Sequence, residues 1–315
     1  MRDDIAARVS KAIEEKVFPG CVIGTVRSSN EREVMPFGNF TYEKGAPKVT
    51  ENTIYDLASV TKSIPVAALA ALFTAEGRLP LSEPVKTYIP ELQNDFGATV
   101  QDLLRYRVRG AQLSTLKYTT FEQIRTHIFE QGFAAPPGES EYANLPAFLL
   151  GIVLERVGGE ILPALAHKYF FGPLKMNDTT FFPHDIERVA PTEVVDGVKV
   201  RGIVHDESAR MFALKRRAVG HAGLFSTAPD LLNFLEALLQ GKFPAVVEAA
   251  EQGLGWQLMA KDAFGKTGFT GTSVLVDRQK GIALVILSNR TYPKRPAGAS
   301  AINSFRADIA EIVLG

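Results

Sequence analysis

The sequence predicts an α/β chain of the α+β kind: one antiparallel sheet built from both chain ends, flanked by the N- and C-terminal helices, with a large helical insertion beside it. Three observations carry this. A hairpin pattern lies near the start, strand patterns return only near the end, and helical spacing marks the first, last and middle segments. On this reading residues 1–58 with 216–315 form the sheet domain, residues 59–215 form a mainly helical domain, and a cleft lies at the seam.

Taken in order, Ile5, Val9, Ile13 and Val17 recur on one face, so a helix runs from about Asp3 to Val17 and ends at Pro19-Gly20. C-V-I-G-T-V-R and E-V-M-P-F-G-N-F then flank Ser28, Ser29 and Asn30 as the arms of a hairpin. From Ser59 to about Lys215 the pattern is mainly helical, with long connections rich in Pro and Gly. T-G-T-S-V-L-V-D and G-I-A-L-V-I-L-S-N bracket the turn Arg278-Gln279-Lys280, two apolar, β-branched arms. A last helix spans about Ser300 to Val313. Pro65, inside an apolar helical run, should bend that helix one turn past Lys62.

Composition narrows the function. A hydrophobic content of 46% supplies a full core for 315 residues. Thirty-five basic side chains balance thirty-five acidic ones, so no global field draws the chain to nucleic acid or anionic lipid, and a small-molecule partner is expected. A single cysteine, Cys21, excludes an internal disulfide. The N-terminus alternates charged and apolar residues and lacks the apolar core of a leader, so a cytoplasmic location is expected. The longest apolar runs, such as Ile64 to Ala75, read as too short to span a bilayer.

The chemistry concentrates in D-L-A-S-V-T-K-S-I-P-V-A-A-L-A-A-L-F, where Ser59 and Lys62 stand one helical turn apart at the head of an apolar run. A serine hydroxyl needs a neighbour to take its proton, and a lysine amine can do so only when neutral. Its pKa must therefore fall by roughly 2 to 3 units, which burial and a second nearby cation would achieve. A second S-x-x-K, Ser114 to Lys117, has no apolar helix after it and reads as a solvated loop.

Two further stretches follow in order. P-P-G-E-S-E-Y-A-N sets Tyr142 and Asn144 at the head of another apolar helix, either as cleft-wall polar groups or as a tyrosine staple and an asparagine cap. F-G-K-T-G-F-T-G places Lys266, Thr267 and Gly268 at the start of a strand. There a lysine beside glycines would let a substrate backbone approach the strand edge; the alternative is a plain turn with a surface lysine.

With these motifs the sequence resembles the serine β-lactamase and penicillin-binding-protein superfamily. It is closest in type to class C β-lactamases, family VIII carboxylesterases and D-amino-acid peptidases and amidases. The resemblance extends to V-F-P-G-C-V-I-G, T-I-Y-D-L-A-S-V-T-K, Y-A-N, G-H-A-G-L-F-S-T-A-P-D-L and G-K-T-G-F-T-G-T-S. It implies a β-lactamase/transpeptidase-like fold and an acyl-enzyme on Ser59. Lys62 would take the Ser59 proton directly or through Tyr142, and Tyr142 would later protonate the leaving group. Asn144 would orient Lys62 and a substrate amide, and Lys266, with Thr267 and Gly268 beside it, would bind a substrate carboxylate. The N–H groups of Ser59 and Phe269 would form the oxyanion hole. Substrates would be small esters, β-lactams or D-amino-acid peptides.

The chain also departs from its relatives. Many carry T-H-x-S-G after the segment that ends here at Leu104, whereas this sequence has R-Y-R-V-R-G-A-Q. Arg105, Tyr106, Arg107 and Arg109 read as a solvated loop, because zero net charge argues against a nucleic-acid surface. Many esterase-like relatives have His where Lys266 stands; lysine points toward carboxylate-bearing substrates. The five histidines show no ligand spacing, so no metal is expected, and without Rossmann or P-loop patterns no cofactor is expected either. His205 and His221 are read as structural residues that shape the cleft.

Overall fold

A computed structural model describes residues 1–116, 120–260 and 263–315. Lys117, the second member of the spare S-x-x-K, lies outside the described residues. The strands are β1 (Gly20–Arg27), β2 (Arg32–Gly38), β3 (Tyr55–Asp56), β4 (Glu193–Val195), β5 (Val198–Val200), β6 (Phe225–Ser226), β7 (Gln257–Ala260), β8 (Ala263–Thr267), β9 (Ser273–Asp277) and β10 (Ile282–Ser288). Six of them form the main sheet in the order β2-β1-β10-β9-β8-β7, every neighbour antiparallel. The two chain ends therefore meet at its centre, where Ile23 on β1 faces Ile286 on β10.

Side-chain alternation assigns the faces. Cys21 and Ile23 on β1, with Ile282, Leu284 and Ile286 on β10, meet the N-terminal helix Arg2–Glu14 through Ile5, Val9 and Ala12. The same layer meets the C-terminal helix Ser300–Leu314 through Ile302, Phe305, Ile309 and Val313. Phe18 packs edge-on against Phe305 at 4.8 Å, and truncating Phe305 to Ala would cost about 3–5 kcal/mol. The intervening residues Val22, Val26, Ala283, Val285 and Leu287 point the other way, into the larger core that includes helix Ala228–Leu239. The fold is thus the mixed antiparallel sheet and helix assembly that the sequence predicts.

Three expectations are corrected. Lys266 and Thr267 end a strand instead of starting one, since β8 begins at Ala263. Gly265 within that strand lies so close to β9 that a Cβ would come 2.2 Å from the Val274 carbonyl, and such a glycine reads in sequence as a turn. The middle of the chain also holds the β4–β5 hairpin, and strand β3 lies just before this middle segment, all too short to leave a period in the sequence. Finally, the 18-residue stretch Ala58–Ala75 is long and apolar enough by composition to cross a bilayer, although 78% of it is buried inside the protein.

Candidate active site

The Ser59 segment is held by an unusual turn. Ala58 adopts φ 47, and Asp56, buried before it, accepts from the Ala58 N–H at 2.8 Å and from the His205 N–H at 2.7 Å. Burial raises the Asp56 carboxyl to about 6 against those two hydrogen bonds. Ser59 and Lys62 then lie on a 3-10 turn, Ala58–Lys62, and not on a regular α-helix. At Ile64 the backbone leaves helical geometry (φ −114, ψ 110), the bend expected at Pro65, before the α-helix Ala68–Ala75 resumes. The tighter turn brings the side chains three residues apart almost into line.

Lys62 is 1% exposed. Its Nζ donates to Ser59 Oγ at 3.0 Å and to the His221 carbonyl at 2.6 Å. Burial pushes the amine down to about 7, against the charge of Asp206, which favours the ammonium. In the neutral form, the lone pair can accept the hydroxyl proton across that same 3.0 Å. Of the two causes that the sequence suggested, burial and a second cation, burial is the main one.

Tyr142 precedes helix Leu145–Gly158, and its ring centroid lies 5.2 Å from Lys62 Nζ and 4.8 Å from Lys266 Nζ. Although 54% of the residue is exposed, its phenol end sits among Ser59 and the two lysines. Burial of that end raises its pKa, while Lys266 and the Ser59 hydroxyl favour the phenolate. Asn144 makes no capping bond to its helix. Its amide instead donates at 3.3 Å to Asp206, the carboxylate whose charge acts on Lys62. Burial opposes ionisation of Asp206, but His221 Nε2 at 3.5 Å and hydrogen bonds from the Ser208 hydroxyl and the Ala209 N–H outweigh it and hold the carboxyl below its usual range.

The opposite wall comes from β8 and the turn after it. Thr267 donates to Gln257 Oε1 through its N–H (3.0 Å) and its hydroxyl (3.1 Å). Gly268 has no room for a side chain: a Cβ would lie 2.2 Å from Thr272 Oγ1 and 2.4 Å from the Leu57 carbonyl. The Thr270 and Thr272 hydroxyls donate to the carbonyls of Asp56 (2.7 Å) and Leu57 (3.0 Å), tying this turn to the segment before Ser59. The Phe269 ring stacks on His205 with centroids 5.7 Å apart, and Arg290 donates to the Phe269 carbonyl at 2.7 Å. Among the described residues neither the Ser59 nor the Phe269 N–H is used in a hydrogen bond.

Lys266 is as buried as Lys62, at 1% exposed. Burial lowers its amine to about 8, against the neighbouring Tyr142. It donates to the Tyr106 hydroxyl at 3.2 Å, with the Tyr106 and Tyr142 ring centroids 5.0 and 4.8 Å away. Tyr106 therefore does not belong to a solvated loop. Tyr106, at φ 53 in the turn after the helix cap, and Val108 point inward while Arg107 and Arg109 face solvent, so apolar residues between arginines were the signal of a partly buried segment. Asp206 contributes a carboxylate near Lys62, and His221, read from sequence as structural, contributes its backbone carbonyl. Among the described residues no group of three His, Cys, Asp or Glu converges as a metal site.

Beside Ser59 these residues open onto a cleft of about 780 Å³ whose walls include Arg105, Tyr106, Tyr142, Trp256, Gln257 and Lys266. The volume suits a small-molecule ligand.

Known proteins resemble this chain in sequence and in fold. The chain is 28% identical over 312 residues to a protein of Escherichia coli K12 named "Putative D-alanyl-D-alanine carboxypeptidase", covering 78% of this chain and 71% of that one. It is 27% identical over 321 residues to a protein of the same name from Salmonella agona, covering 81% and 73%. Among solved structures it resembles EstCE1, a hydrolase with promiscuous acyltransferase activity (TM-score 0.77, 21% identity, 100% of this chain and 98% of that one). It also resembles a β-lactamase/D-alanine carboxypeptidase of Pseudomonas syringae (TM-score 0.79, 19% identity, 98% of each chain). These structural likenesses show the fold. The profile described as Beta-lactamase matches residues 5–307, and the chain belongs to that family of serine hydrolases.

Proposed function

We propose that this chain is a serine hydrolase that works through an acyl-enzyme on Ser59, acting on small esters and β-lactams. The observation that carries the proposal is the 3.0 Å approach of Lys62 Nζ to Ser59 Oγ in surroundings that hold the amine near neutrality. Ser59 Oγ attacks the substrate carbonyl while its proton passes to the Lys62 amine, directly or through the Tyr142 phenol. The tetrahedral oxyanion is received by the Ser59 and Phe269 N–H groups, each donor worth about 10²–10³ in rate. Collapse expels the leaving group, the alkoxide of an ester or the ring nitrogen of a β-lactam, which takes a proton from Tyr142 or Lys62. Water then attacks the acyl-serine, loses a proton to the same base and releases the acid. Asp206 steadies Asn144, while Lys266, Thr267 and Gly268 shape the wall along which the substrate lies. The catalytic seam falls between residues 1–58 with 216–315 and residues 59–215.

A second reading, a D-stereospecific peptidase or amidase on cell-wall-derived peptides, is favoured by the names of the carboxypeptidase relatives and by cations on the cleft wall. The test offers p-nitrophenyl butyrate, a chromogenic cephalosporin and a D-alanyl anilide to the protein and to Ser59→Ala. Ester or cephalosporin turnover lost in the variant supports the first reading, and anilide turnover supports the second. Stable acylation by a penicillin without turnover, seen as added intact mass, would make the protein a non-catalytic penicillin-binding sensor. Activity retained by Ser59→Ala would overturn the site.

A further inference from the structure

The cleft beside Ser59 has an uneven charge distribution. Its described lining includes three cationic side chains, Arg105, Arg107 and Lys266, and no acidic one. Two of the three are already occupied. Lys266 is buried under two tyrosine rings and donates to the Tyr106 hydroxyl. Arg107 lies 3.4 Å from the Asp102 carboxylate and donates to the Gly138 carbonyl at 2.8 Å. Arg105, half-buried on the same wall, has no hydrogen bond or ion pair from its side chain among the described residues.

The position of Arg105 is fixed by its backbone. It caps the helix Val100–Leu104, whose start is held by a reciprocal Thr99–Asp102 capping box, and its N–H donates to the Gln101 carbonyl at 2.9 Å. On either side, the Gly255 N–H donates to the Leu104 carbonyl at 2.9 Å and Tyr106 is anchored on Lys266. A guanidinium on so firmly held a stem loses less freedom on binding than one on a mobile loop. Trp256, on the same cleft wall, keeps a buried indole N–H without an acceptor.

We infer that Arg105 forms an anion subsite of the cleft and that the natural substrate carries a carboxylate which this guanidinium receives. The inference rests on the hydrolase reading above and moves the carboxylate-binding role from the enclosed Lys266 to the accessible Arg105. The planar fork of the guanidinium matches the two carboxylate oxygens.

The test compares kcat/KM for paired substrates: p-nitrophenyl butyrate against mono-p-nitrophenyl glutarate, and phenyl acetate against 4-acetoxybenzoate. The pairs place the carboxylate on the acyl side and on the leaving-group side respectively. In Arg105→Gln the charged-to-neutral ratio should fall about tenfold or more for at least one pair, mainly through KM. Arg105→Lys should fall between, and the wild-type ratio should shrink with added salt. Arg109→Gln, an exposed arginine paired with Glu141 outside the cleft lining, controls for general surface charge. Ratios unchanged within twofold in Arg105→Gln, or lowered equally in Arg109→Gln, overturn the subsite while butyrate turnover leaves the hydrolase reading standing.

If no ester is turned over, calorimetry decides the subsite, and the hydrolase reading fails only if the cephalosporin and the anilide are not turned over either. Glutarate monomethyl ester should bind Ser59→Ala about tenfold more tightly than Ser59→Ala with Arg105→Gln, and equal or absent binding overturns it.

Discussion

Lys62 carries a rate prediction that follows from its surroundings. Burial holds its amine at about 7 instead of 10.5, so about half of the molecules have a neutral amine at pH 7, against about 3 in 10,000 for an ordinary lysine. Desolvation thus multiplies the competent fraction by about 10³, equivalent to about 4 kcal/mol. For a neutral ester, kcat/KM should bend near pH 7 and fall tenfold per pH unit below it. Lys62→Arg keeps a cation but supplies no lone pair at accessible pH, so kcat should drop by about 10³ or more and the acid limb should vanish. Hydrolysis of p-nitrophenyl butyrate from pH 5 to 9, at constant ionic strength and followed at the nitrophenol isosbestic wavelength, measures both. A flat profile from pH 5.5 to 8, or an arginine variant within tenfold of wild type, would refute Lys62 as the base.

Three more outcomes are expected. Asp206→Asn removes the charge that favours the Lys62 ammonium, so the acid limb should move to lower pH; movement upward or none would show that Asp206 does not act on the amine. Both buried lysines titrate lower in the folded chain than in the unfolded one, so the unfolded chain binds more protons between about pH 7 and 10. Stability should therefore rise with pH across that window and be lost as pH falls toward 7. Lys62→Met should remove about 1.4 kcal/mol per pH unit of that slope between pH 7.5 and 9.5, read from denaturant melts, and an unchanged slope would contradict a neutral Lys62. Gly268→Ala drives a methyl into the Leu57 carbonyl and Thr272 hydroxyl. It should cost about 1–3 kcal/mol of stability and about 10² in kcat by displacing the Phe269 N–H; wild-type activity would show that this N–H is not used.

The parts of the fold legible in sequence are those whose local pattern and final burial agree. Strands β1 and β10 pack on both faces and carry β-branched runs bounded by turns, and the terminal helices keep their apolar spacing, so all four emerge from periodicity. Strand β8 was misread because Gly265 and Lys266 look like turn and surface residues until β9 and the two tyrosines enclose them. Ser59, Lys62, Tyr142 and Lys266 could be picked out because nucleophilic chemistry restricts which side chains can stand together. The Asn144–Asp206 link, the Tyr106 cover on Lys266 and the unpaired Arg105 depend on contacts between segments 60 to 160 residues apart, which no local window contains.

The threonine hydroxyls that bind the Asp56 and Leu57 carbonyls span 214 and 215 residues of sequence. A ribosome releases the S-x-x-K segment long before the hairpin that supplies those hydroxyls and the Phe269 N–H. The emerging chain therefore carries Ser59 well before the turn that packs against it, and the two walls of the proposed site meet only when strands β8 and β9 dock.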